Sequence, residues 1–369
     1  MSIPPKPEVE SLKICSHGGP DWAELRSMGL NPGEILDFSV CTNPFSPPPG
    51  IGKILASIAI SRYPDSEATE LRQCLSEKLG VAQNNILVGS GATELIRLIA
   101  LAYFNRGDPV LILAPTYGEY EVACQIVGAD VFKQWGGAED NFRLKIAETV
   151  NLIRQRRPKG IFICQPNNPT GQYFSREGVE AVLDTGENSL LILDEAYIAF
   201  TDGIWSAIDL LHRGDIIIVR SMTKDYALAG LRLGYAVANR EIIDGLRRVR
   251  PPWNVNILAQ KAGLVALKDE GYIKRCKLKI EQAKQFLVDE LCRVGFTVVP
   301  SDTNFFLVRV GDGKTFRSTL LKRGMLVRDC ASFGLPEYVR IAPRTVPECK
   351  KFIAVIQALK RSGELDASI

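Results

Sequence analysis

Imidazole is scarce in this chain: His17 and His212 are the only histidines in 369 residues. The nine cysteines are scattered from Cys15 to Cys349 without a CxxC pair. Neither a zinc-finger ligand set nor a disulfide framework is expected, and the predicted metal content is none. An odd number of cysteines in a chain this long reads as free thiols in a reducing compartment. Net charge is also nearly missing, since 45 Lys and Arg against 42 Asp and Glu leave +3. That excludes a strong electrostatic pull toward nucleic acid or a membrane surface, while an anionic small substrate stays compatible. No apolar run approaches the ~20 residues of a membrane span. The opening MSIPPKPEVE is polar and proline-rich, without the apolar core of a signal peptide. Repeats and low-complexity tracts are lacking too. The expectation is a cytoplasmic protein with no nucleic-acid and no membrane partner.

What is present is 46% hydrophobic residues, enough in a chain of this length for a large core and more than one domain. Residues 1–60 are irregular and proline-rich. From Asp65 the segment DSEATELRQCLSEKLG has helical spacing, with Asp65 or Ser66 as cap and Gly80 as stop. Short apolar runs then alternate with helical stretches: ILV at 86–88, VLIL at 110–113, IFIC at 161–164, LLIL at 190–193, IIIV at 216–219 and LGYAVA at 233–238. Such alternation predicts an α/β fold whose mostly parallel sheet is flanked by helices. After about residue 250 the texture changes. A helical region near 254–293 leads to strand-like FTVVP and NFFLVRV and a final helix near 346–361, a smaller α+β part. The expected division is a large domain over 45–247 and a small one made of 1–44 and 248–369.

In an open α/β sheet, ligands bind beyond the carboxyl ends of the strands. The residues after five of the runs are a glycine-rich loop opening a helix (Ser90, Gly91, Ala92, Thr93), an aromatic (Tyr117), an amide (Asn168), a carboxylate with a nearby tyrosine (Asp194, Tyr197), and Ser221 with Lys224. Each has an ordinary explanation as turn, cap or core. Together they describe one site. Loop N–H groups at a helix start suit a phosphate. Ser221 and Arg232 can add a hydroxyl and a guanidinium to it. Asp194 would hold a protonated ring nitrogen, Asn168 and Tyr197 a phenolate oxygen, and Tyr117 would stack on the ring. Lys224 would bind an aldehyde and serve as catalytic acid and base. That set points to pyridoxal 5'-phosphate. A nicotinamide site fits less well, because GSGATE lacks the third glycine of GxGxxG and its acidic partner.

The segments SGATELI, APTYGEY, CQPNNPTGQ, LILDEAY and RSMTKDYALAGLRLGYA together resemble the fold-type-I, class I and II pyridoxal-phosphate aminotransferases, in order and over nearly the whole chain. The resemblance implies a homodimer, with Tyr63 of RYPD reaching the cofactor phosphate of the neighbouring subunit. It also implies that Arg340, in EYVRIAPRT, binds a substrate carboxylate. Two branches fit. SHGGPD, LDFSVCTNP, RPPWNVN and VRDCASFG resemble threonine-phosphate decarboxylase, which serves cobalamin synthesis, and the alternative is histidinol-phosphate aminotransferase. The substrate-binding residues this implies are His17, Gly18, Asn43, Asn168, Arg328, Arg340 and Arg344. In one place the chain departs from both branches: Cys41 stands where they carry an asparagine, and a thiol is a poor substitute for an amide.

Overall fold

The structure is a computed structural model and describes residues 3–10, 12, 14–203 and 205–365. Its centre is a seven-stranded sheet. In spatial order the strands are Ile86–Gly89, Gly234–Ala238, Ile216–Ser221, Leu190–Asp194, Gly160–Cys164, Pro109–Ala114 and Asp130–Trp135. All neighbouring pairs are parallel except those of Gly234–Ala238, which runs antiparallel to both its neighbours. The strands Gly160–Cys164, Leu190–Asp194 and Gly234–Ala238 are buried along their whole length, and the other inner strands at all but one residue each, as expected of a sheet covered by helices on both faces.

The edge strand Asp130–Trp135 was not evident in the sequence. Its DVFKQW pattern is half-polar because, at the edge of the sheet, most of its residues stay partly exposed. The first long helix starts at Thr69 with Ala68, not Asp65 or Ser66, at the N-cap position, while Asp65 braces the turn just before it. Its carboxylate accepts from Glu67 N–H at 2.9 Å and Thr69 N–H at 2.7 Å. Gly80, at φ +68°, ends it as read. The helical region near 254–293 is two helices, Ile257–Lys268 and Tyr272–Arg293, broken at Asp269–Gly271.

Register across the sheet decides where the chemistry lies. Gly89 pairs with Gly234, and Gly234 with Ser221, so the loop after Gly89 is carried to the strand end that bears Ser221 and Lys224. Cys164 pairs with Asp194, and Asp194 with Val219. Gly234 is required by close approach. A Cβ there would lie 2.9 Å from Ala92 N and from Arg220 O.

A four-stranded antiparallel sheet is ordered Arg328–Asp329, Tyr338–Ile341, Phe306–Arg309 and Thr297–Val298. Arg328 stands directly opposite Arg340 in it. Residues facing each other on adjacent antiparallel strands present their side chains to one face. The N-terminal arm joins this part through Leu36–Asp37, parallel to Met325–Leu326. The helix Val346–Arg361, opened by a Thr345/Glu348 capping box, matches the sequence reading. No helix of the described residues is long and apolar enough to cross a membrane.

Candidate active site

A cavity of about 810 Å³ opens at the carboxyl edge of the large sheet. Among its lining residues are Ser90, Ala92, Thr93, Tyr117, Asn168, Asp194, Tyr197, Ser221, Lys224 and Arg232, together with His17, Gly18, Arg328 and Arg340. The structure thus brings together most of the residues singled out in the sequence.

The glycine-rich loop turns at Gly91, whose φ of +80° suits glycine. A Cβ on Gly91 would meet the Arg232 guanidinium at 2.8 Å. The helix Ala92–Tyr103 begins there, so the amides of its first turn are free of intrahelical partners. Ser90 N–H is differently engaged and donates to Glu94 Oε2 at 2.6 Å. Ser221 Oγ and Thr223 Oγ1 are 2.6 Å apart beside this loop. Amides, hydroxyls and a guanidinium around a space that no Cβ enters suit a phosphate.

Deeper in, Asp194 is buried. Tyr120 O–H donates to its Oδ2 at 2.7 Å, and Ala196 N–H to its Oδ1 at 2.9 Å. Burial raises its pKa, and the hydrogen bonds and Lys224 oppose the shift. Tyr120 was not recognised in the sequence. It lies three residues after Tyr117, on the first turn of the helix Glu119–Ile126, and that spacing was the available signal. Tyr117 O–H and Thr93 Oγ1 are 3.0 Å apart, and burial pushes the Tyr117 phenol up to about 12. Its ring therefore acts as a neutral face. Lys224 Nζ lies 5.9 Å from the Tyr197 ring centroid. Burial lowers the Lys224 pKa, and nearby Arg340 and Arg232 act in the same direction. A buried lysine whose charged form is disfavoured, beside a buried carboxylate and an anion cradle, fits pyridoxal phosphate.

On the opposite wall, Arg340 donates to Asn168 Oδ1 and, at 2.7 Å, to Ser39 O. Its buried Nε has no hydrogen-bond partner among the described residues. Arg328 donates to Ser16 O at 2.7 Å, Ser16 Oγ at 3.1 Å and Ser332 Oγ at 2.6 Å. Cys41 is buried in the same wall. Burial raises its pKa while Arg340 and Lys224 pull it down.

Three residues lie elsewhere. Asn43 donates to Asp225 O at 2.9 Å and Tyr272 O–H at 3.1 Å, and its own N–H donates to Lys224 O at 2.8 Å. It fastens the Lys224 segment from behind. Arg344 is paired with Glu348 at 2.9 Å, outside the cavity lining. Tyr63 is 78% exposed and stacks on Trp253 with ring centroids 4.3 Å apart, also outside the cavity lining of its own chain.

Asp225, the neighbour of Lys224, faces a second cavity with Arg220 and Tyr226. Burial pushes its carboxyl up to about 7, although Tyr226 N–H donates to it at 3.0 Å. The unfolded chain releases this proton near pH ~4. The folded state binds it more tightly, so stability falls as pH rises from about 4 to about 7. Asp225→Asn keeps the acceptor for Tyr226 N–H and removes the charge. The variant should melt several degrees above the parent at pH 8, the two converging near pH 4, as read by thermal scans across that range.

Residues 34–356 match the family described as aminotransferase class I and II. The chain is 34% identical over 359 residues to a histidinol-phosphate aminotransferase of Moorella thermoacetica, covering 95% of this chain and 92% of that protein. It superposes on the Sinorhizobium meliloti histidinol-phosphate aminotransferase solved in complex with pyridoxal-5'-phosphate, with a TM-score of 0.87 at 24% identity over 97% of each chain. The L-threonine-O-3-phosphate decarboxylase of Porphyromonas gingivalis gives a TM-score of 0.76 at 28% identity, covering 88% of this chain and 99% of that one. With the residues around Lys224 fitting the cofactor, the chain is a pyridoxal-phosphate enzyme and belongs to the class I and II aminotransferase family.

Proposed function

We propose that the enzyme transfers the amino group of histidinol phosphate, or of a closely similar phosphorylated amine, to a 2-oxo acid. The observation that carries this reading is the pair Arg328 and Arg340, opposite each other on adjacent strands and lining one cavity with Lys224. One anionic group needs one such fork. Two forks on one wall suit a substrate with an anionic tail and a 2-oxo acid that uses the same wall in the return half-reaction. Near full-length similarity to a histidinol-phosphate aminotransferase supports amino transfer over the decarboxylase expectation.

Pyridoxal phosphate, when bound, supplies a ring that takes up the electron pair left when a bond to the substrate's amino-bearing carbon breaks. Lys224 would hold the cofactor aldehyde, and its free amine would be placed to move the proton at that carbon, a task suited to its lowered pKa. Asp194 keeps the ring nitrogen protonated, and Tyr120 and Ala196 N–H hold that carboxylate in place. Asn168 gives its Oδ1 to Arg340, which leaves its N–H₂ to donate to the ring oxygen alongside Tyr197. Tyr117 would cover one ring face, and Ala92, Thr93, Ser221 and Arg232 would grip the phosphate. Tyr63, exposed beside Trp253, would reach the phosphate of a second copy in a homodimer, as the family resemblance implies.

A second reading is decarboxylation of threonine phosphate, favoured by His17 and Gly18 lining the cavity as in the SHGGPD resemblance. The experiment separates the two. Incubation of holoenzyme with histidinol phosphate and 2-oxoglutarate should yield glutamate in a sustained reaction. Incubation with O-phospho-L-threonine and no acceptor should release no carbon dioxide. Sustained release of carbon dioxide without an acceptor, and no glutamate in the first mixture, would overturn amino transfer.

A further inference from the structure

The sequence is poor in metal ligands, yet one cluster at the cavity mouth has the donors and spacing of a metal site. Cys15 Sγ, a ring nitrogen of His17 and a carboxylate oxygen of Glu119 all lie within 4.8 Å of one another. Two parts of the chain supply them. Cys15 and His17 come from the N-terminal arm, and Glu119 from the start of the helix Glu119–Ile126, 102 residues after His17.

We propose that this cluster binds a zinc-class divalent cation through Cys15 Sγ, His17 Nε2 and Glu119 Oε1, with a fourth position open to the substrate cavity.

The donor set argues for zinc. Sulfur and imidazole select zinc over magnesium or calcium, and a carboxylate is a third accepted zinc donor, so the three residues leave one position for water or a ligand atom. Tetrahedral zinc at ~2.0 Å from N and O and ~2.3 Å from S spaces its ligands roughly 3.3–3.6 Å apart. His17 Nε2 and Glu119 Oε1 are 3.0 Å apart, so a shift of a few tenths of an ångström admits the ion between these two, and Cys15 Sγ, within 4.8 Å of both, closes the set by a rotation of its side chain on the N-terminal arm. Cys15 Sγ has a weak contact to Ser16 O at 3.8 Å, and its seat is built for it. A Cβ on Gly118 would fall 2.7 Å from the sulfur, so a side chain there would push the sulfur from its place beside Glu119.

Charge also balances. A thiolate and a carboxylate neutralise a divalent ion, and binding releases the Cys15 proton. Arg97 donates to the other oxygen, Glu119 Oε2, at 3.0 Å, so it can stay while Oε1 turns to the metal. Glu119 is 5% exposed, which holds its carboxylate in position. The consequence reaches the substrate wall. Ser16, between the two arm ligands, accepts from Arg328. An ion on Cys15 and His17 would fix the segment that orients this arginine. The inference does not depend on which amine the enzyme uses.

The test uses chelator-treated holoenzyme without substrate. Equilibrium dialysis against zinc chloride should give one zinc per chain. X-ray absorption at the zinc edge of the wild-type protein should show one sulfur at about 2.3 Å and nitrogen or oxygen neighbours at about 2.0–2.1 Å. Cys15→Ser should weaken zinc binding about tenfold or more, and Cys292→Ser, which removes an exposed thiol, should leave it unchanged. Absence of stoichiometric zinc, a shell without sulfur, or full affinity in Cys15→Ser would overturn the proposal. The wild-type spectrum decides the matter even if Cys15→Ser folds poorly.

Discussion

Lys224→Ala holoenzyme should lose about 10⁴-fold or more of its turnover while keeping the fold. The loss has two sources. One is the covalent hold on the cofactor aldehyde, and the other is the proton transfer that a positioned amine provides, about 10²–10⁴-fold alone. The backbone should tolerate the change. The Lys224 carbonyl is held by Asn43 N–H at 2.8 Å, and the preceding Thr223 N–H by Ser221 Oγ at 3.3 Å. Neither bond involves the amine. Two measurements separate this role from a structural one. Borohydride reduction followed by peptide mapping should find the cofactor on the Lys224 peptide of the parent and not on the variant. Added methylamine should restore part of the variant's activity, because a free amine can replace a missing acid and base but not a collapsed site. An unchanged yield of reduced adduct in the variant would refute the assignment. The lowered pKa of Lys224 adds a sign: covalent attachment to apoenzyme should rise with pH around a midpoint below the ~10.4 of an ordinary lysine.

The large sheet could be read from the sequence because its inner strands are short apolar runs bounded by turn residues, and strand ends are where an α/β sheet places ligands. Lys224, Asp194 and Asn168 were therefore found one by one, each after its own strand. Other features depend on register or on distant packing, which period alone does not encode. Nothing in VRDC and EYVRI says that Arg328 stands opposite Arg340. Asn43 and Arg344 sit in segments that resemble known binding residues, yet their side chains bond the Lys224 loop and Glu348. Tyr120 depends likewise on packing, because its helix brings the hydroxyl to Asp194, 74 residues on, at 2.7 Å. The meeting of Cys15, His17 and Glu119 was equally hidden, since it joins the irregular arm to a helix formed far along the chain.

Asp194→Asn should separate stability from activity, and in opposite directions. The wild-type carboxylate is buried, and its pKa is raised by that burial. A group whose folded pKa exceeds its unfolded value of ~3.9 contributes stability below that value and loses it as pH rises. As pH rises, ionising this carboxyl costs more in the folded apoenzyme than in the unfolded chain, a cost that asparagine lacks. Asparagine can keep both hydrogen bonds of the site. Its Oδ1 accepts from Ala196 N–H, and the Tyr120 hydroxyl rotates to accept from its N–H₂. Apo Asp194→Asn should thus melt at or above the parent temperature at pH 8. Turnover should fall nonetheless. A charge-assisted hydrogen bond to a ring nitrogen contributes ~1.5–3 kcal/mol, which alone is roughly a ten- to hundredfold loss. Without the negative charge the ring nitrogen also gives up its proton, so the loss should exceed that range. Cofactor binding, dominated by the phosphate cradle and Lys224, should weaken far less than kcat. The measurements are melting curves of both apoproteins, cofactor affinity, and kcat with the amino donor saturating. Equal losses in cofactor affinity and kcat would mean that Asp194 only seats the ring. A lower melting temperature at pH 8 would mean that the carboxylate stabilises the fold, and the separation of roles argued for it would fail.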